Sequence, residues 1–271
     1  MAKSCCKKST LDNFMCEREK LMPDWLNVIA DEPDYSVMFT SRGTVGADAG
    51  HYDGFNVCHY TGDDPAHIES CRMDLSKATG IEKDCWVIPR QTHSTVVRVI
   101  DGTPADSDFE GVDGVVTSLR GLAVGVSTAD CIPLIMVDPV AGVVAAIHAG
   151  WRGAVGGIVE AGVDAMERLG VDVSRIRTYF GPAICVDCFE VGEEVAVRFP
   201  EECIVRFSDG RRPHVDLPAY VRRELLRCGL SPENVGHFDN HLCTRCHPLR
   251  YFSARYSGVN SGRNFTFAVL K

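Results

Sequence analysis

The stretch STADCIPLIMVDPVAGVVAAIHAGWRG, residues 127–153, decides the fold of this chain. It contains two apolar, β-branched runs, residues 132–137 and 143–147, and the segment DPVAG between them is typical of a turn. The pattern predicts two buried strands that pair as an antiparallel hairpin. Cys131 precedes the first strand and His148 follows the second, so the hairpin would bring both side chains to the same edge of a sheet.

Further strands and helices are predicted on both sides of this hairpin. Strands are expected over residues 35–42, 86–90, 95–100, 112–117, 122–127 and 177–181, and the aromatic-rich tail 251–271 is also strand-like. A helix should begin after Asp64 with Pro65 in its first turn and end at Gly80. Apolar residues at three- and four-residue spacing predict a second helix over residues 155–170, and Asp216 opens a third that runs to Cys228.

Composition is that of an ordinary globular protein, with 45% hydrophobic and 24% charged residues in 271. The net charge of −9 argues against nucleic acid or an anionic membrane as a partner, because both need a basic surface. No run of residues is long and apolar enough for a membrane span or a secretory signal, so we expect a cytoplasmic protein. Its 13 cysteines, an odd number, should be reduced thiols.

The domain organisation is expected to be simple. Residues 1–30 show no sustained hydrophobic period and predict a loosely ordered arm. Residues 31–271 contain no internal repeat, low-complexity tract or Gly/Ser-rich linker, and we therefore expect them to form a single domain.

A third side chain joins Cys131 and His148 as a candidate for chemistry. His93 lies in the segment QTHS between two predicted strands. One thiolate and two neutral imidazoles suit zinc and leave the fourth tetrahedral position for water or substrate, as in catalytic zinc sites. The three residues are far apart along the chain, so spacing alone leaves open that each is a separate core or loop side chain.

A second interpretation of the same atoms needs no metal. Cys131 could act as a nucleophile with His148 as its base, in a hydrolase acting on amides or esters. The metal content of the purified protein distinguishes the two interpretations. A true multicopper oxidase is disfavoured, because such an enzyme uses roughly ten histidine ligands and the chain has nine histidines in all.

Two further cysteine pairs resemble half-sites of a structural zinc ribbon. They are Cys185-x-x-Cys188 and Cys243-x-x-Cys246, with 54 residues between them. That separation is far larger than a compact ribbon uses, and the sequence therefore favours packing thiols over a second metal site.

Several short motifs together resemble one known family. They are FTSR (39–42), GDDP (62–65), QTHS (91–94), ADCIP (129–133), HAGWRG (148–153), GPAI with FEVG, and CTRC followed by Gly262-Arg263. This set is similar to the laccase-domain, or multicopper polyphenol oxidase, proteins, whose members are also described as purine nucleoside phosphorylases and peptidoglycan editing factors. The resemblance covers roughly residues 35–271.

The resemblance implies a fold and a set of site residues. The fold would be α/β (α+β), a single-domain layered sandwich with mixed sheets, related to cytotoxic-factor-type cysteine hydrolases. His93, Cys131 and His148 would be the metal ligands, holding Zn²⁺ or alternatively Cu²⁺, and Cys131 and His148 would be the catalytic residues. The side chains that line the substrate pocket would be Arg42, Asn56 and Gln91.

The resemblance also implies an activity. The expected partners are a small-molecule nucleoside and phosphate, with phosphate-dependent cleavage of adenosine, inosine, guanosine and methylthioadenosine, and with deamination of adenosine. The alternatives are an amidase that edits a peptidoglycan precursor, the Cys-His hydrolase described above, and a copper polyphenol oxidase. From a different class, a partner-binding module without catalysis would keep the fold but has no need of an open metal site.

Overall fold

The computed structural model describes residues 22–102 and 109–271. Its strands are, in chain order, β1 (Leu26–Asp31), β2 (Tyr35–Thr40), β3 (Trp86–Val87), β4 (Val97–Ile100), β5 (Gly114–Thr117), β6 (Ala123–Thr128), β7 (Ile132–Asp138), β8 (Val143–Ala149), β9 (Arg177–Phe180), β10 (Ile204–Val205), β11 (His214–Val215) and β12 (Asn264–Leu270). Its α-helices are α1 (Pro65–Thr79), α2 (Trp151–Gly156), α3 (Ile158–Glu167), α4 (Glu193–Ala196), α5 (Leu217–Arg227) and α6 (Ala254–Ser257).

These strands form two five-stranded sheets and one two-stranded ribbon. The first sheet has the order β1-β2-β12-β6-β3, and the second has the order β4-β5-β8-β7-β9. Each is mixed, because β3 pairs with β6 in parallel, β4 pairs with β5 in parallel, and the other pairs are antiparallel. A single α/β domain with two mixed sheets confirms the predicted architecture at this level.

The two sheets pack face to face, and helices cover their outer faces. In β7, Ile135 and Val137 pack with Val124 of β6 in the core between the sheets. Leu134 and Met136 point the other way and pack against α3 and α5. Burial on both faces explains why this strand is apolar without alternation. Helix α1 packs on the outer face of the first sheet, completing a helix-sheet-sheet-helix sandwich.

The hairpin predicted from residues 127–153 is confirmed. Strands β7 and β8 pair antiparallel, with Ile132 opposite Ala149 and Pro133 opposite His148. Cys131, immediately before β7, and His148, near the end of β8, therefore reach the same edge of the second sheet. The capping pattern around α1 is confirmed as well, since Asp64 accepts a hydrogen bond from the Ala66 amide and the helix ends at Gly80.

Two predictions of secondary structure need correction. The helix expected over residues 155–170 is two helices, α2 and α3, because the intervening Gly157 adopts a left-handed conformation with φ of 96°. The tail 251–271 is not strand throughout. It contains α6 before β12, because Ser253 caps a short helical turn by accepting a hydrogen bond from the Tyr256 amide.

The predicted N-terminal arm falls mostly outside the described residues, as do Cys5, Cys6 and Cys16. Its predicted boundary at residue 30 lies inside β1, a strand that the sequence pattern did not reveal because its residues do not alternate between apolar and polar. Among the described residues, no helix is both long and apolar enough to cross a membrane.

Candidate metal centre

The three predicted ligands meet at one edge of the second sheet. The ligand atoms of His93, Cys131 and His148 lie within 4.8 Å of one another, and the Cys131 Sγ is 3.6 Å from the His93 Nε2. A tetrahedral zinc ion with bonds of about 2.3 Å to sulfur and about 2.0 Å to nitrogen holds these two atoms about 3.5 Å apart. The donor types and their separation therefore fit a zinc ion.

Asp113 organises this cluster, although no sequence pattern had indicated a role for it. Its Oδ1 accepts hydrogen bonds from His148 Nδ1 at 2.7 Å and from the His93 amide at 2.9 Å. Its Oδ2 accepts from the amides of Thr92 and Ser94 and from the Ser94 hydroxyl. Because His148 donates through Nδ1, its other ring nitrogen is the one that offers a lone pair to a metal once it is deprotonated. One buried carboxylate thus fixes the tautomer of one ligand and the loop that carries another.

Two residues at the site adopt a backbone conformation that is uncommon outside glycine. His93 has φ of 63° and Asp130, next to Cys131, has φ of 91°. Asp113 holds the first of these through the amide bonds described above. Asp130 is held through its carboxylate, which accepts from the Thr244 hydroxyl and from the Arg255 amide, each at 2.6 Å. The surrounding hydrogen bonds therefore maintain two strained residues beside two ligands.

Gly150 lets the backbone approach the ligands closely. A Cβ at this position would lie 2.7 Å from His93 Cδ2 and 2.9 Å from the Cys131 Sγ, both shorter than van der Waals contact. Gly150 connects β8 to α2 and its backbone lies against the ligands. The cluster therefore leaves no room for a side chain at this position. The motif HAGWRG contains this glycine, but the sequence does not show which groups it approaches.

The electrostatics of the metal-free cluster favour a thiolate at Cys131 beside a protonated His148, and a bound metal would replace that proton. Burial alone would raise the pKa of Cys131, but the attraction of His148 and hydrogen bonds from both histidines outweigh it and lower that pKa. Burial likewise opposes protonation of His148, yet Cys131 and Asp113 together raise its pKa. For Asp113, burial is outweighed by His148 and by the loop donors, and the pKa falls to about 2. A stable thiolate is the form that binds metal.

The cluster is open to solvent on one side. His148 is buried, Cys131 is half-buried and His93 is exposed. A fourth ligand or a substrate can therefore approach from the side of His93. Two surface cavities, of about 520 and 810 Å³, lie elsewhere on the molecule and are not lined by any of the three ligands.

The three predicted pocket residues form hydrogen bonds to other groups of the protein. Arg42 donates to the carbonyls of Gly50, Asp53 and Pro248. The Asn56 side chain donates to Asp63 and accepts from the amides of Cys58 and Arg263. The Gln91 side chain donates to the Ser127 carbonyl and accepts from the Ser127 amide, which ties the loop before His93 to β6. Of the three, Gln91 alone lies within two residues of a predicted ligand, His93.

The four cysteines expected to be packing thiols form a second cluster. The sulfur atoms of Cys185, Cys188, Cys243 and Cys246 lie within 4.8 Å of one another. The separation of 54 residues was a misleading guide, because Ala183 and Cys243 pair in a parallel bridge that brings the two segments side by side. The structure therefore provides the proximity of sulfurs that a second metal site requires, a site that the sequence favoured less than packing thiols.

Residues 36–271 match the family model described as multi-copper polyphenol oxidoreductase laccase. The chain belongs to this family. The match confirms the resemblance carried by the sequence motifs, and it includes both metal-ligand clusters.

Relatives of this family member have been given two enzymatic descriptions. The chain is 42% identical over 266 residues, 93% of its length and 98% of the relative's, to adenosine deaminase RL5 from an unknown prokaryotic organism. It is 39% identical over 203 residues to purine nucleoside phosphorylase ORF3 of Streptomyces griseus, covering 74% of this chain and 82% of that one. The crystal structure of YlmD from Geobacillus stearothermophilus superposes with a TM-score of 0.78 at 26% identity, covering 92% of this chain and all of that one.

Proposed function

We propose that this chain is a zinc-dependent enzyme that cleaves purine nucleosides with phosphate and also deaminates adenosine. The observation that carries the proposal is the cluster of His93, Cys131 and His148, which offers three metal ligands and one side open to solvent. Relatives described as adenosine deaminase and purine nucleoside phosphorylase support both reactions. The proposed substrates are adenosine, inosine, guanosine and methylthioadenosine, in the cytoplasm.

Zinc is the ion that the donor set fits best. Two imidazoles and one thiolate are typical of catalytic zinc sites, and copper is the alternative. When bound, zinc supplies a Lewis acid that polarises an oxygen atom of water or phosphate. The multi-copper description of the family would need many more histidine ligands than this cluster offers.

The chain's own residues prepare the site before any ligand arrives. Asp113 orients the His148 ring and anchors the loop of His93, so both imidazoles are preorganised for a metal. The lowered pKa of Cys131 keeps its sulfur in the thiolate form near neutral pH. The open side next to His93 is where we place the nucleoside.

The two proposed reactions differ in the bond that breaks. In phosphorolysis, a phosphate oxygen forms a bond to C1′ while the bond from C1′ to the base nitrogen breaks, and the base leaves with the electron pair and gains a proton. In deamination, water adds at C6 of adenine and ammonia leaves. Both need a polarised oxygen beside a purine nucleoside, which a single open metal site can serve.

The test compares one ligand variant with a matched control. Purified wild-type protein, Cys131→Ala and Cys228→Ala are incubated with adenosine, with and without phosphate, and the products are separated by chromatography. Cys228 is a free, half-buried cysteine outside both clusters. We expect adenine to form only when phosphate is present, and inosine to form whether or not phosphate is present. Cys131→Ala should give neither product. Full activity of a metal-free Cys131→Ala variant would falsify the proposal.

A second candidate rests on a specific arrangement in the same site. Cys131, His148 and Asp113 follow one another through hydrogen bonds, in the order of a nucleophile, a base and an orienting carboxylate. This arrangement supports the Cys-His hydrolase alternative and the proposed relation to cytotoxic-factor-type cysteine hydrolases. Mass spectrometry separates the candidates: an acyl group trapped on Cys131 in metal-free protein favours the hydrolase.

The pocket roles of Arg42, Asn56 and Gln91 stay predictions. Their bonds to backbone groups support a part in shaping the loops around the site. We propose that they line the pocket in this indirect way, by fixing the backbone against which a nucleoside would pack.

A further inference from the structure

A second group of potential metal ligands lies outside the centre described above. The Cys188 and Cys246 sulfurs are 3.4 Å apart, and the Cys185 and Cys246 sulfurs are 4.0 Å apart. These three cysteines and Cys243 are free thiols. In a tetrahedral site with zinc-sulfur bonds of about 2.3 Å, the sulfurs are separated by about 3.8 Å. A disulfide needs about 2.0 Å between its sulfurs. The observed distances fit a shared cation.

The backbone brings the two Cys-x-x-Cys segments together independently of the thiols. The Ala183 amide donates to the Leu242 carbonyl at 3.2 Å, and the Thr244 amide donates to the Ala183 carbonyl at 2.9 Å. Each segment adjoins a short 3-10 turn, one over Val186–Cys188 and the other over Asn240–Leu242. The four sulfurs are therefore presented by a preformed pair of turns.

Backbone amides point at two of these sulfurs. The Cys185 amide donates to the Cys243 Sγ at 3.4 Å, and the Cys246 amide hydrogen bonds to the same sulfur. The Cys188 amide hydrogen bonds to the Cys185 sulfur. Amide donors of this kind stabilise a thiolate, which is the form that binds metal, and simple packing of neutral thiols does not require them.

We propose that Cys185, Cys188, Cys243 and Cys246 form a closed tetrathiolate site for one zinc ion. Four protein ligands fill the tetrahedron and leave no open position, so this site is structural. Binding releases up to four thiol protons as the zinc-sulfur bonds form, with no change of oxidation state. The site uses none of the ligands of the proposed nucleoside enzyme, and it does not depend on that function.

The tetrathiolate site also supports the first centre. Thr244, between two of its cysteines, donates its hydroxyl to the Asp130 carboxylate at 2.6 Å. The amide of Ile184, just before Cys185, donates to the Asp130 carbonyl at 2.9 Å. Both cysteine segments thus form hydrogen bonds to Asp130, the left-handed residue that precedes Cys131. The second zinc ion would hold the Cys131 backbone in position.

Zinc stoichiometry of the full chain tests the site. Zinc per chain is measured by elemental analysis after expression with zinc and dialysis under reducing conditions. We expect two for wild type and for the control Cys228→Ser, one for Cys131→Ser, one for Cys243→Ser, and none for the combined Cys131→Ser, Cys243→Ser variant. Equal zinc in wild type and Cys243→Ser, or an intact-mass loss showing a disulfide in the wild type, overturns the proposal.

A spectroscopic measurement avoids reliance on a cysteine variant that fails to fold. Cobalt(II) added to metal-free Cys131→Ser, in which all four cysteines of the tetrathiolate site are intact, should give the intense visible and near-ultraviolet absorption of tetrahedral thiolate coordination. Absence of these bands at one equivalent contradicts the site. The supporting role is tested by zinc titration at the first centre: Cys243→Ser should weaken it on the order of tenfold, and unchanged affinity refutes that role.

Discussion

Replacing Asp113 with Asn tests whether one carboxylate organises the metal centre. The substitution keeps the shape of the side chain but removes its charge. Its amide group would meet either the amides of Thr92 and Ser94 or the Nδ1–H of His148, and all of these are donors. At least one buried donor therefore loses its acceptor whichever way the amide is oriented.

The magnitude follows from the contacts of Asp113. Its pKa falls from 3.8 to about 2, which corresponds to about 2 kcal/mol of folding free energy at neutral pH. Leaving a buried donor unpaired costs about 1–3 kcal/mol more. We therefore expect the free energy of unfolding to drop by roughly 3–5 kcal/mol. Zinc affinity at the first centre should fall by roughly 10- to 100-fold, because a partner that orients a ligand is lost.

Two assays and a matched control separate these effects. Urea unfolding of metal-free protein gives the free energy, and competition with a chromophoric chelator gives the zinc affinity. Asp138→Asn is the control: this carboxylate is also fully buried and accepts bonds from Val140, Ala141 and Arg175, but it lies at the other end of β7 from Cys131. It should lose stability and keep its zinc. The reasoning is refuted if Asp113→Asn matches wild type in both assays, or if both variants lose zinc affinity equally.

Three further predictions concern the same site. Gly150→Ala should weaken zinc binding by about tenfold or more, because its Cβ would lie 2.7 Å from the His93 ring. The control is Gly102→Ala, which has no left-handed φ and whose Cβ would meet no atom of the described residues within 4 Å; it should bind zinc as wild type in the same competition assay. Acidification should remove the contribution of Asp113 to the free energy of unfolding. Because the pKa of Asp113 in the folded protein lies below its ordinary value, this contribution is complete above about pH 4 and disappears towards pH 2. Urea unfolding of wild type should therefore show a loss of stability over this window that Asp113→Asn lacks. Gln91→Ala should lower the free energy of unfolding by about 1–3 kcal/mol, because the buried amide and carbonyl of Ser127 lose their hydrogen-bond partner. A free energy of unfolding equal to that of wild type would contradict this.

The elements around the metal centre were predictable where local signals are strong. Two apolar runs on either side of a turn predicted the β7–β8 hairpin, and with it the approach of Cys131 and His148. Capping residues predicted α1 almost to the residue. These signals depend on neighbours in sequence, and they therefore survive without knowledge of the tertiary structure.

The contacts that the sequence did not reveal connect distant segments. Asp113 was included in the strand predicted over residues 112–117, because nothing in VDG shows that three amides and an imidazole from elsewhere converge on it. The four cysteines of the tetrathiolate site were discounted for their separation, although one parallel bridge is enough to unite their segments. In both cases the decisive partner is fixed by the packing of the sheets and not by local pattern.

The position of β12 sets an order on biosynthesis. This strand lies between β2 and β6 in the first sheet, so strands made early on the ribosome lack their central neighbour until residues 264–270 emerge. The five strands of the second sheet all lie within residues 97–180, so they can pair while translation continues. A nascent chain halted before β12 should therefore expose the inner face of the second sheet, a vulnerable intermediate that chaperones would need to shield.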